Sequence, residues 1–302
     1  MHQASLSQLK NPNNSENNGP FVPFEEISNE KLGKTDLDFL QQYINKIYLE
    51  EDSMEKIRQQ FEEDSSVQLR HFLNEKWASK IKVESLKEDD PFVENASALD
   101  YSVGVSKDWV PVGPSHKQRF LEFRGRSDQD ADSCGPIMKF VKDTLLQSVE
   151  FRRFLNHLTS LGIPLGSRGR VRRFRPGLDY TIAHHGILTK ECVLDASICF
   201  CSGTGEQVIG DDINEDDAVW ESGDKGGFEC YIEANDGSEA DDEYDEEDDS
   251  KLLSVSASNN TFSLVFRDPG TLRFIKYVSR SAPSSRWDIS LEYDIKNSDS
   301  GT

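Results

Sequence analysis

Five arginines crowd the segment 166–186, GSRGRVRRFRPGLDYTIAHHG, at positions 168, 170, 172, 173 and 175. Guanidinium groups at this density either grip phosphate or carboxylate oxygens in forked pairs or neutralise acids of their own chain. On an extended strand Arg168, Arg170 and Arg172 share one face, and Arg173 and Arg175 the other. Pairing within the molecule is the favoured expectation; a partner-binding stripe made of these five residues is the alternative. His184 and His185 follow directly, but neighbours on a strand face opposite sides and do not easily hold one ion together. A metal at His184 needs a carboxylate two residues on, where Gly186 stands. Cys199 and Cys201, in ICFCSG, share a face and read as buried small apolar groups. Neither a phosphate-cradling G-x-x-x-x-G-K-S/T loop nor a G-x-S-x-G elbow occurs.

The elements that position these residues change character along the chain. Residues 1–34 open with Asn, Ser, Gln and Pro and no apolar period, which predicts a flexible leader or interdomain linker. Leu37, Leu40, Ile44 and Ile47 recur at helical spacing, as do Met54, Ile57 and Phe61. Ser65 with Gln68 has the form of a capping box, predicting a third helix with Leu69, Phe72, Leu73 and Trp77 on its apolar side. A helical pair follows from Gly135-Pro136 to Leu158 and stops at Gly162 and Pro164. Beyond it the period falls to two, predicting strands over 169–184, 191–201, 226–233, 251–256, 261–267, 271–279 and 286–295. Helices first and strands later predict an α+β chain, mainly β, built on an antiparallel sandwich or barrel.

The 302 residues carry 55 acidic and 34 basic side chains, a formal net charge of -21. Residues 211–249 hold 19 of the acids against Lys225 alone, so the acidity describes one insertion rather than the folded body. Its densest part, 236–249, repels itself and is expected to be a disordered loop. That field disfavours whole-surface nucleic-acid binding. Five cysteines without a C-x-x-C pair argue against a disulfide framework or zinc ribbon. The absence of a long apolar run or a signal pattern predicts a soluble protein with no membrane partner.

In RRFRPGLDYTIA, the GGFECYI hairpin and the LVFRDPGTLRFIKYVS to RWDI ending, the chain resembles the carboxy-terminal domain of the Fe(II)- and 2-oxoglutarate-dependent ribosomal prolyl hydroxylases, over about Asp36 to Ile295. The resemblance implies a double-stranded β-helix (jelly roll, cupin-like) with an N-terminal layer of α-helices, over residues 35–302. It puts Ala183 and His185 where the family's strand carries the His and Asp of its metal triad, and Lys276 at the place of the second His. A methyl, a lone imidazole and an ammonium are poor iron ligands, so the expected metal site is degenerate. Arg286 matches the basic position that grips oxoglutarate and is expected to be vestigial.

The resemblance thus implies a non-catalytic domain with no cofactor of its own, iron and 2-oxoglutarate belonging to a catalytic domain elsewhere in the polypeptide. The domain is expected to act as a protein-binding module in oxygen-linked degradation of a sterol-response transcription factor, under an inhibitor protein, in nucleus and cytoplasm. Its further expected partners are the catalytic domain of the same polypeptide and a ribosomal protein. Two alternatives stand beside this: an active iron and 2-oxoglutarate dioxygenase domain with misaligned ligands, and a ribosome or RNA contact through the arginine strand.

Overall fold

In the last strand, RWDISLEYD, alternate residues are Trp, Ile, Leu and Tyr on one side and Asp, Ser and Glu on the other, and this alternation organises the whole molecule. The computed structural model describes residues 19–27, 31–94, 100–189, 191–203, 218–221, 223–234 and 251–295. The acidic block 236–249 lies outside the described residues.

In chain order the elements are β1 (Val22–Pro23), α1 (Lys34–Leu40), α2 (Glu51–Asp64), β2 (Ser66–Leu69), α3 (Glu75–Glu94), β3 (Trp109–Val112), β4 (Gln118–Phe123), α4 (Cys134–Val141) and α5 (Val149–Thr159). There follow β5 (Gly166–Phe174), β6 (Tyr180–Thr181), β7 (Val193–Phe200), β8 (Glu229–Glu233), β9 (Lys251–Val255), β10 (Thr261–Arg267), β11 (Thr271–Ile275) and β12 (Arg286–Asp294). The large antiparallel sheet runs β2-β10-β7-β12-β5-β4-β3, with β1 beside β5 and β6 beside β4; the small sheet runs β11-β8-β9. This is the mainly β, antiparallel sandwich that the sequence pattern predicts, and the double-stranded β-helix with a helical layer that the resemblance implies.

The two faces of the large sheet are chemically unlike. Cross-strand register aligns Ile289 with Val171 and Ile198, and Ile198 with Phe262, on one face. That face is apolar and packs with the helices in a single buried cluster that includes Phe61, Trp77, Val141 and Leu155. In α2 the buried residues Met54, Ile57 and Phe61 form the stripe. In α5 Phe151, Phe154, Leu155 and Leu158 do so, behind a Ser148 hydroxyl that caps the helix by accepting from the Phe151 N–H. Phe72 joins helices to sheet: its ring stacks on Phe262 at 4.3 Å and meets Phe151 edge-on at 6.5 Å. Asn260 fixes the same junction, its side chain accepting from the Leu73 N–H and donating to the Leu73 carbonyl, both at 2.9 Å.

Three expectations are corrected here. The Ser65–Gln68 box does not open a helix: Ser65 ends α2 with φ 54°, and Ser66–Leu69 is an edge strand paired with β10. The third helix instead starts after Asn74, whose side chain accepts from the Trp77 N–H. The first helix ends at Leu40, and Ile44 lies in an isolated bridge to Leu73. Nor is the leader featureless throughout. Val22 and Pro23 pair with Ser167 and Gly166, while Phe21 and Phe24 lie beneath the guanidiniums of Arg168 and Arg152. Residues 1–18 and 28–30 lie outside the described residues.

Candidate functional site

The opposite face of the large sheet points toward the small sheet and carries charge in rows. Register on β5 and β12 sets Arg168 opposite Glu292, Arg170 opposite Ser290 and Arg172 opposite Asp288; on β12 and β7 it sets Glu292 opposite Asp195. The interior of the sandwich is therefore an ionic lattice. Arg172 grips Asp288 with Nε and Nη2 at 2.8 and 2.9 Å, and Arg286 also donates to Asp288. Arg267 donates to Asp195 at 2.7 Å and to Glu292 at 3.1 Å, and Arg168 reaches the other Glu292 oxygen at 2.6 Å. Arg273, from the small sheet, lies 3.1 Å from Asp195 and pairs with Glu229.

Glu229 of β8 is the clasp between the sheets. It pairs with Arg273 and, at 3.4 Å, with Arg286, and accepts from the hydroxyls of Ser197 and Tyr231. Burial alone would raise its pKa, but Arg273, Arg286 and Arg172 outweigh that and hold it down at about 2. A carboxyl depressed in the fold binds fewer protons there than in the unfolded chain. Its contribution is thus complete above the ordinary carboxylate value and lost as pH falls toward 2. Acid titration of stability, followed by tryptophan fluorescence, is expected to show a loss of about 3 kcal/mol between about pH 4.5 and pH 2 that Glu229→Gln removes. An unchanged acid limb in the variant refutes the assignment.

Between the sheets, beside this lattice, lies a cleft of about 80 Å³ whose lining includes Arg168, Arg172, Arg267, Arg273, Lys117 and Glu292. The other three arginines of the segment, Arg170, Arg173 and Arg175, are not in this lining. Arg173 is buried under Trp287, at 4.3 Å from its ring, and donates to Asp89 at 2.7 Å. Arg175 is forked onto Asp179 at 2.7 and 3.0 Å. Arg170 lies 3.9 Å from Glu122, and burial lowers its pKa. The two faces drawn from the alternation are thus present, and the described guanidiniums meet acids of their own chain.

The positions singled out as metal places fall on separate segments of the chain. Ala183 and His184 follow β6, and His184 lines the cleft; the backbone of His185 enters a short 3-10 turn. The Lys276 N–H donates to the Phe228 carbonyl. Arg286, 2 % exposed, is taken up by Asp288 and Glu229. Burial would lower its pKa, and Cys199, Asp288 and Glu229 raise it above the usual arginine value. Cys199 and Cys201 are buried beside Phe120, Phe174 and Trp220. Among the described residues no three His, Cys, Asp or Glu side chains are placed to hold a metal ion. Among the described residues, too, no helix is long and apolar enough to cross a membrane.

Residues 35–301 match the family model described as "Oxoglutarate and iron-dependent oxygenase degradation C-term". The chain is 37 % identical over 260 residues to Prolyl 3,4-dihydroxylase OGFOD1 of Ostreococcus tauri, covering 84 % of this chain and 48 % of that protein. It is 25 % identical over 292 residues to Prolyl 3-hydroxylase OGFOD1 of Xenopus laevis, covering 85 % and 48 %. Among solved structures it is similar to a prolyl-4-hydroxylase of Pseudomonas putida, at 10 % identity and a TM-score of 0.42, over 81 % of this chain and 100 % of that one. The chain belongs to the iron- and oxoglutarate-dependent oxygenase family represented by that model. It spans about half the length of the two OGFOD1 relatives named here.

This corrects the functional expectation. A non-catalytic, cofactor-free module that only directs degradation does not stand beside a relative 37 % identical over 84 % of the chain that is itself a prolyl dihydroxylase. The expectations "not an enzyme" and "no cofactor" fall with it.

Proposed function

We propose that this chain works as part of an Fe(II)- and 2-oxoglutarate-dependent prolyl hydroxylase. The observation that supports this reading is the match to the Ostreococcus tauri dihydroxylase over most of the chain. The active-dioxygenase alternative is thereby preferred to the pure binding module. Iron and 2-oxoglutarate are the cofactors of that enzyme. Because the described residues offer no three-donor site, no catalytic step is assigned to them. Their contribution is the ionic sandwich and the helical layer. The test is oxoglutarate decarboxylation with gain of one oxygen atom on a prolyl peptide, measured for this chain and for the longer polypeptide that carries it. Coupled turnover in either supports the proposal; none in both, with iron and ascorbate supplied, rejects it.

The finer placement, in the branch that regulates a sterol-response transcription factor, has as its support the word "degradation" in the family description. On this second proposal the partners are that transcription factor, an inhibitor protein and a ribosomal protein, met in nucleus and cytoplasm. Recovery of a transcription factor with the tagged chain, lost on competition by an inhibitor protein, supports it. Recovery of ribosomal proteins alone rejects it.

A further inference from the structure

We propose that the groove between the open edges of the two sheets, β2 of the large one and β9 of the small one, binds an extended peptide of a partner protein whose residues alternate between apolar and basic. The first ground is the backbone. The sheet orders leave β2 and β9 with one strand neighbour each among the described residues. The Phe266 N–H donates to the Ser65 carbonyl, and register sets Val67 opposite Leu264. Val67 therefore turns its N–H and C=O toward β10, while Ser66 and Gln68 turn theirs outward. No hydrogen bond to those four outward groups is formed among the described residues. Edge strands are commonly blunted by lysine, proline or a bulge, whereas SVQL carries none of the three and its register with β10 is unbroken. Such an edge accepts one further strand, which is how extended peptides add to sheets.

The second ground is the lining. A space of about 580 Å³ runs along this edge, walled by Ser66 and Gln68, by Val265 of β10 and by Leu252 and Leu253 of β9. Leu252 is 58 % exposed, an uncovered leucine on the rim. Val67 and Leu69 belong to the apolar cluster under the helices, so the alternation in β2 puts the side chains of Ser66 and Gln68 on the other face, with Val265. A strand laid beside β2 shares its pleat. Every second side chain of that strand meets Val265, Leu252 and Leu253, and the residues between them face the end of α2.

The third ground is charge. Among the described residues the lining holds two carboxylates, of Asp64 and Asp268, both exposed, and no Lys, Arg or His. Asp64 is the last residue of α2, directly after Glu62 and Glu63, and the carbonyl end of a helix adds partial negative charge. A lysine or arginine on the helical side of the incoming strand is drawn to that end. The same field argues against two other occupants. The chain's own 236–249 stretch carries ten carboxylates and is repelled. A second copy brings its own Glu62, Glu63 and Asp64 beside its β2 and meets like charge. The site is independent of the hydroxylase reading.

Fluorescence polarisation of a short labelled peptide alternating lysine and valine, titrated with the 302-residue chain, tests this. Saturable one-to-one binding is expected. The same peptide N-methylated at each inner amide is expected to bind about tenfold more weakly or worse, since it cannot pair along an edge. Gln68→Pro removes one outward N–H without touching the bonds to β10 and is expected to weaken binding about tenfold. Asp64→Lys is expected to weaken it comparably by reversing the charge at the end of the groove. Circular dichroism confirms folding of each variant, and Asp64→Lys suffices if Gln68→Pro does not fold. Absence of saturable binding up to about 1 mM overturns the proposal. So does binding that N-methylation or Asp64→Lys leaves unchanged, which marks adsorption to the acidic 211–249 stretch instead. A dimer in sedimentation equilibrium that Gln68→Pro dissolves makes a second copy the occupant and likewise overturns it.

Discussion

Asp288→Ala is expected to destabilise the protein by about 3–5 kcal/mol, read as a shift of the urea midpoint. The Asp288 side chain is fully buried and is the shared acceptor of Arg172 and Arg286. Its removal leaves Arg172 without its carboxylate and Arg286 with Glu229 alone, and stranding a buried charge costs more than the pair contributed. Replacing both members, Arg172→Met with Asp288→Leu, should recover part of the loss because the orphaned charge on Arg172 goes with its partner. The size of this recovery separates charge stranding from loss of packing. A single-variant loss below about 1 kcal/mol would show that the lattice hydrates or rearranges freely, contrary to the geometry described.

Phe72→Ala is expected to cost a comparable amount, about 3–5 kcal/mol, for a different reason. Phe72 has no exposed surface, stacks on Phe262 and touches Phe151, so the truncation opens a cavity where the helical layer meets the sheet. Phe72→Leu retains most of the volume and is expected to cost under about 2 kcal/mol. Equal losses in the two variants would count against a cavity mechanism. Calorimetry on both gives the comparison directly.

The alternation in RWDISLEYD and in the arginine segment is visible from residue types, and so is the turn of period from helix to strand after Pro164. What the pattern does not contain is register. That Arg172 meets Asp288 and Arg168 meets Glu292 depends on antiparallel pairing of strands more than a hundred positions apart. Asp195 and Glu229 likewise read as ordinary strand acids until the sheets are closed. Ser66–Leu69 misleads because a local capping signal loses to pairing with β10, an energy that no short window carries. WVPV and QRFLEF pass unnoticed between helices, although Trp109 and Phe123 then pack edge-on at 5.1 Å. The degenerate metal places rested on resemblance, and residue chemistry at Ala183 and Lys276 alone did not establish what the polypeptide does.

The ionic filling between the sheets also bears on how the molecule responds to warming. Hydrocarbon released on unfolding adds heat capacity, whereas polar and charged surface subtracts it. A sandwich whose interior rows are guanidinium and carboxylate therefore bends its free-energy dome less than one filled with leucine. The penalty for keeping such ions dry also shrinks as temperature climbs. This half of the architecture gives up its grip on heating more slowly than the greasy layer beneath the helices.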